Sequence, residues 1–149
     1  MRFIADGMLG GLGRVLRMLG IDCSHFSGPA VQLLLIAKRE NRIILTRNTR
    51  LKGRKGVIFI SSQRIIDQLK ELNQNCDIKK LIRPLTRCLI CNVEIVPIDK
   101  EAVKERIPYY TYLHFDEFYT CPSCHRIYWN GSHRKGMEER VQSYLDALT

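Results

Sequence analysis

The sequence predicts an α/β fold: a parallel sheet flanked by helices, then a small cysteine-held ribbon and a closing helix. Three observations lead there. Over residues 1–73, short apolar runs alternate with helically spaced segments, the pattern of parallel strands joined by helical crossovers. Two C-x-x-C pairs follow, at Cys88/Cys91 and Cys121/Cys124. Last, Met137, Val141, Tyr144, Leu145 and Leu148 form the apolar stripe of a helix that docks on the rest. The chain has 149 residues, 45% of them hydrophobic, enough for a packed core in one domain or two small ones. The expected division is residues 1–85 and 86–149.

"RFIA" reads as a short strand ending at Asp6. From Leu9, apolar residues recur at Leu12, Val15, Leu16 and Leu19, which is helical spacing, and Gly20 closes that helix. Gly10, Gly11 and Gly13 each weaken it by roughly 1 kcal/mol relative to alanine. They serve either close approach of a backbone or ligand, or tight helix packing. "DCSHF" is a second strand. Ser27, Gly28 and Pro29 look like a helix start, and "AVQLLLIAKRE" is apolar nearly all round, so a well-buried helix is expected. "RIILT" and "VIFIS" are strands three and four. Ser62 is the expected N-cap of "QRIIDQLKELN". Residues 74–87 read as a basic linker. A sheet of this kind places its ligand crevice at the carboxyl ends of the strands.

Charge is uneven. The 24 Lys and Arg exceed the 15 Asp and Glu by nine. Up to residue 85 there are 16 basic and 6 acidic residues, a net +10; beyond it the net is −1. A basic half beside a neutral one suits a polyanion, most often nucleic acid, although solubility alone also favours charge. The densest run is "RNTRLKGRK", residues 47–55, with Arg47, Arg50, Lys52, Arg54 and Lys55 and no acid. It begins where the crevice should be. Such a loop suits phosphate contacts, or is simply a solvated loop. Arg14 and Arg17 on the first helix join the expected RNA contacts, as does His133. Trp129, Ser132 and His133 either stack on a base and meet phosphate or serve the core.

No apolar run reaches the length of a membrane span. "MRFIADGML" lacks the apolar region of a signal peptide, so an intracellular, cytoplasmic location is the expectation. In that setting the paired cysteines mean metal before disulfide. Two C-x-x-C turns aim four thiolates at one point, a closed tetrahedral site for structural Zn(II) with no position left for a water nucleophile. Asn92 and His125 directly follow the pairs; both types tolerate the left-handed backbone such turns need. Between the pairs, "DKEAVKERI" reads as a helix capped by Asp99 and "YYTYLHFDEFY" as a strand region. Cys23 and Cys76 read as ordinary thiols.

"FIADGMLGGLGRVLRMLGID", "RIILTRN", the two C-x-x-C pairs and "YWNGSH", in this order, resemble the Mut-seven C-terminal (Mut7-C) RNase family, a branch of the PIN-like nucleases with an appended zinc ribbon. The resemblance runs from about residue 2 to residue 137. It implies a PIN-like three-layer fold, RNA as substrate, and Mg(II) or Mn(II) held by acids at the carboxyl ends of strands. The family's first aspartate matches Asp6. Its acids at the start of the second helix have no counterpart in "SGPAVQ", and its "LTRD" aspartate is Asn48. Asp22 lies at the wrong end of the sheet, Glu40 ends its helix, and Asp67 points away from its helix's buried stripe. Hard divalent ions need oxygen ligands and opposing charge. The expectation is therefore an RNA-binding protein, catalytically degenerate, with Asp6 and Asn48 as the remnant catalytic pair. A ribonucleoprotein such as the ribosome, with ribosomal RNA as partner, would suit it. The alternatives are an active Mg/Mn-dependent endoribonuclease and a protein-interaction module.

Overall fold

A computed structural model describes residues 1–149. Four strands, β1 (Phe3–Asp6), β2 (Cys23–Phe26), β3 (Ile43–Thr46) and β4 (Val57–Phe59), form a wholly parallel sheet in the order β2-β1-β3-β4. The crossovers are α1 (Gly10–Met18) and α2 (Ala30–Glu40), and α3 (Ile65–Asn75) follows β4. Side chains alternate across the sheet, as the period of a strand requires. Phe3, Ala5 and Leu45 face the core built with α1 and α3. Ile4 and Ile44 face α2, packing on Leu33, Ala37 and Leu51. The result is three layers. From β1 the chain adds β2 on one side and then β3 and β4 on the other, so the carboxyl ends of β1 and β3 flank the switch-point crevice.

Local chemistry explains several boundaries. α1 ends in a glycine cap: Gly20 sits at φ +80°, its N–H reaches the Arg17 carbonyl, and the Ile21 N–H reaches the Leu16 carbonyl, the paired bonds of a Schellman turn. A Cβ there would lie 1.8 Å from the Arg83 carbonyl oxygen, so only glycine fits. Gly13 packs against Ala5 and Cys23, where a Cβ would fall 3.3 Å from the Ala5 Cβ. Of the two roles expected for these glycines, tight packing is the one Gly13 performs.

Four local expectations are corrected. α2 is not well buried: only Leu33 and Ala37 are covered, and Val31 and Leu35 are 68% and 63% exposed. It is the sole helix on its face of the sheet, so nothing covers its outer side. Ser62 does not cap α3. The N-cap is Arg64, without a side-chain bond, while the Ser62 hydroxyl donates to Glu71 at 2.7 Å. Residues 74–87, expected to be a linker, are not one: the first two end α3 and the rest is fixed in place. Ile78 is fully buried, and the Arg83 and Leu85 N–H groups donate to the Leu19 and Met18 carbonyls, strapping the segment across the end of α1. Within the ribbon, Tyr109–His114 is helical rather than strand. Pro108 supplies its fixed φ just before the first turn, and Tyr110 stacks on His114 one turn on, ring centres 3.9 Å apart.

The ribbon is an antiparallel sheet of β5 (Val96–Ile98), β6 (Phe118–Thr120) and β7 (Ile127–Trp129), with α4 (Lys100–Val103) and α5 (Tyr109–His114) inserted between β5 and β6. α6 (Ser132–Ala147) returns to the first sheet's core, where Val141 and the following Leu148 are buried with α1 and α3 residues. The apolar stripe read from the sequence is the docking face. No helix is long and apolar enough to cross a membrane.

Candidate nucleic-acid interface and metal centre

At the switch point, Asp6 closes β1 and Thr46 closes β3. The Thr46 side chain is fully buried and donates to Asp6 Oδ2 at 2.7 Å, while Asp6 Oδ1 accepts from the Gly7 N–H at 2.7 Å. The Asn48 N–H in turn donates to Thr46 Oγ1 at 2.9 Å. Asp6, Thr46 and Asn48 thus form one hydrogen-bonded chain, bringing together the two residues read as the catalytic remnant. The Asn48 carboxamide oxygen accepts from the Arg50 N–H at 3.0 Å and caps the short turn Thr49–Leu51. Its Nδ2 remains a donor, where a carboxylate would have supplied a second acceptor.

Asp22, Glu40 and Glu71 are engaged by partners of their own, while Asp67 makes no hydrogen bond or ion pair. Asp22, at the opposite ends of the strands, pairs with Arg42 at 2.6 Å and Arg2 at 3.2 Å and accepts from Asn92 at 2.7 Å. Glu40 pairs with Arg42 at 2.8 Å. Asp67 stands half-buried in the first turn of α3. Glu71, which sequence reasoning passed over, reaches back to the carboxyl end of β4 and accepts from the N–H and hydroxyl groups of both Ser61 and Ser62, at 2.7–3.0 Å. Burial works against its charge, but those four bonds outweigh it and hold the carboxyl below its ordinary range. No group of three His, Cys, Asp or Glu side chains gathers at the strand ends; the one such group is the four ribbon cysteines. A Mg(II) or Mn(II) centre needs several oxygen ligands, and Asp6 is the one carboxylate in the hydrogen-bonded chain of Asp6, Thr46 and Asn48.

The basic run is a shaped loop. Leu51 anchors it in the smaller core, and the Lys52 ammonium lies 4.9 Å from the centre of the Phe59 ring. Arg47 is half-buried and donates to the Ser61 carbonyl at 3.2 Å, while Arg50, Lys52, Arg54 and Lys55 are exposed. Arg17, expected among the RNA contacts, is a strut instead. Its guanidinium donates to the Leu89 carbonyl at 2.6 Å and the Cys23 carbonyl at 3.0 Å, tying α1 and β2 to the ribbon. Arg14 and His133 are exposed but stand apart from the loop. They meet at a separate cleft beside the ribbon, with Trp129. Arg126 and Arg134 line the same cleft; their spacing in sequence gave no sign of it.

The four cysteines form a metal centre in their geometry. All four sulfurs lie within 4.8 Å of one another, and Cys88 and Cys124 are 3.8 Å apart. A disulfide would need about 2.05 Å, whereas a tetrahedron with metal–sulfur bonds of about 2.3 Å has edges of about 3.8 Å. Asn92 and His125 adopt φ +60° and +63°, and their N–H groups close each turn onto the Cys88 and Cys121 carbonyls. The Cys91 N–H and the Tyr128 hydroxyl donate to Cys88 Sγ, and the Ser123 and Cys124 N–H groups to Cys121 Sγ. Such donors stabilise thiolates. The cluster suits a structural metal such as zinc. Outside it, Cys23 is buried, and burial pushes its thiol up to about 12.

A family model described as the Mut7-C RNAse domain matches residues 1–141. No curated protein and no solved structure matches the chain.

Proposed function

The chain belongs to the Mut7-C RNAse domain family, and from that premise we propose that it binds RNA without an efficient nuclease centre. The family supports a nuclease-like, RNA-related role. One observation carries the rest: at the switch point Asp6 is already hydrogen-bonded through both oxygens, and no group of three metal-ligating side chains forms there. Beside it stand a carboxamide donor and the basic loop. A two-metal mechanism needs ligands for both ions to stabilise the attacking and leaving oxygens. Asp6 and Asn48 cannot neutralise such a pair, and Arg47 and Arg50 oppose a cation. The same groups suit phosphate: Asn48 Nδ2 donates, and the loop's free cations supply affinity without sequence readout.

In this reading the module of residues 1–85 contacts the RNA backbone, and within residues 86–149, a ribbon with its closing helix, the ribbon is held by Zn(II). A cytoplasmic ribonucleoprotein, with ribosomal RNA as partner, suits that chemistry. The family match by itself also favours a Mg/Mn-dependent endoribonuclease. That reading requires acids the strand ends do not bring together.

Affinity for a structured RNA, measured by fluorescence polarisation across a salt series, tests the proposal. The logarithm of affinity should fall linearly with the logarithm of salt. Arg50→Ala with Arg54→Ala should weaken binding and reduce the slope by about one for each lost phosphate contact. Salt-insensitive binding, or none, overturns it.

A further inference from the structure

The cleft beside the ribbon lies where α1, the Cys88–Cys91 turn and the start of α6 meet. Its volume is about 440 Å³, within the range of sites that enclose a small organic ligand. Its lining combines two kinds of group. Leu89, Ile90, Ile127, Met137 and the indole of Trp129 are apolar or aromatic. Arg14, Arg87, Arg126, Arg134 and His133 bring positive or ionisable nitrogen, and no Asp or Glu lines the cleft. Two of these cations are already committed: Arg87 donates to the Gly20 and Asn92 carbonyls, and Arg134 reaches Glu138 at 3.4 Å. Arg14 is exposed and makes no hydrogen bond or ion pair within the chain. Trp129 is half-buried, tilted against Phe118 with ring centres 6.4 Å apart, so its indole is held in place while part of it faces the cleft.

This lining discriminates among ligands. An apolar peptide would desolvate the arginines without pairing them. A bare inorganic anion would leave the indole and aliphatic surface wet. A flat heteroaromatic ring carrying a phosphate satisfies both parts: it stacks on the indole and offers its charge to guanidinium groups. We propose that the cleft binds one nucleotide unit, its base against Trp129 and its phosphate against Arg14. With RNA as its source, the proposal rests on the RNA-binding reading and deepens it: the ligand is then a base splayed out of a single strand. A free nucleotide offers the same chemistry. Placement favours the strand. Arg14 also lines an adjoining hollow with Ser24 and His25, and the His25 ring lies against Gly10, where α1 begins just after Asp6. Arg14 and His25 therefore bridge the strand ends and the cleft.

Trp129 is the chain's single tryptophan, so its fluorescence reports on this cleft alone. The metal-loaded full chain is titrated with a single-stranded RNA hexamer, with adenosine monophosphate, and with an RNA duplex of the same length. The hexamer should quench the indole saturably, the monophosphate more weakly, and the duplex hardly at all, because its bases stay stacked on one another. Arg14→Glu should raise the hexamer midpoint at least tenfold, with Arg14→Ala as a milder second variant. Lys38→Glu, the same charge change on the exposed side of α2, should shift it less than twofold. Hexamer binding seen by polarisation, with no quench and no effect of Arg14→Glu, overturns the proposal and leaves RNA binding standing. Equal quenching by duplex and hexamer overturns base insertion. Quenching by the monophosphate with no RNA binding keeps the nucleotide site and removes RNA as its source. No quench and no RNA binding removes both.

Discussion

Thr46 decides what Asp6 can do. It is fully buried, and its hydroxyl both donates to Asp6 and accepts from the Asn48 N–H. A buried polar pair left without its partner costs about 1–3 kcal/mol. Thr46→Val keeps the shape and strands both neighbours, so urea unfolding should show a loss of about that size. A loss within error would mean that water replaces the hydroxyl and that the chain of bonds is not what holds Asp6. The same residue shows why a motif reading reaches part of a site. Asp6 and Asn48 were legible because each follows an apolar run at a strand's end. Arg17 was not, since charge alone does not say whether a guanidinium meets solvent or two backbone carbonyls. Asn92 and His125 were legible for the opposite reason: a turn that aims two thiolates at one point leaves few backbone conformations, and these residue types tolerate the one required.

At the scale of elements, the β4–α3 connection depends on Glu71. Its carboxylate gathers four donors from Ser61 and Ser62, and its pKa is lowered in the fold. A lowered folded pKa adds stability above the unfolded pKa and loses it as pH falls through the folded one. For a carboxylate that window opens near pH 4.3 and extends downward, on the ordinary glutamate value of about 4.3. Glu71→Gln should therefore cost about 1–2 kcal/mol near neutral pH, the worth of charge-assisted bonds at a partly exposed site. The difference from wild type should shrink as pH drops below 4, read from unfolding midpoints at several pH values. Sequence periodicity finds helices such as α3 but not such reach-back contacts, which is why Ser62 looked like a cap. α2 failed differently. Its composition is that of a buried helix, but burial depends on what the topology stacks above it, and here nothing does. α5 was read as strand from its aromatic content, a preference that reflects packing context more than backbone.

Across the whole molecule, the ribbon and the sheet are fastened at the Cys88–Asn92 turn. Asn92 donates to Asp22 and accepts from the Cys23 N–H at 3.0 Å, while Arg17 holds Leu89. Removing the metal should therefore loosen more than the ribbon. Chelation should lower the melting temperature of the whole chain and expose four reactive thiols, with Cys23 staying slow because its thiol is buried and neutral. A thiol assay before and after chelation, beside a melting curve, checks this; an unchanged melting temperature would mean the ribbon folds independently of its metal. The charge asymmetry has a whole-molecule meaning too. Its excess is concentrated in the half that carries the switch-point crevice, the half we propose meets phosphate. The central claim is that this frame holds RNA rather than cutting it. The direct measurement is a denaturing gel of end-labelled structured RNA incubated with saturating protein and Mn(II), beside Asp6→Ala. Intact RNA in both lanes, with binding confirmed under the same conditions, is the result predicted. Cleavage by the wild type that disappears with EDTA and with Asp6→Ala would contradict it.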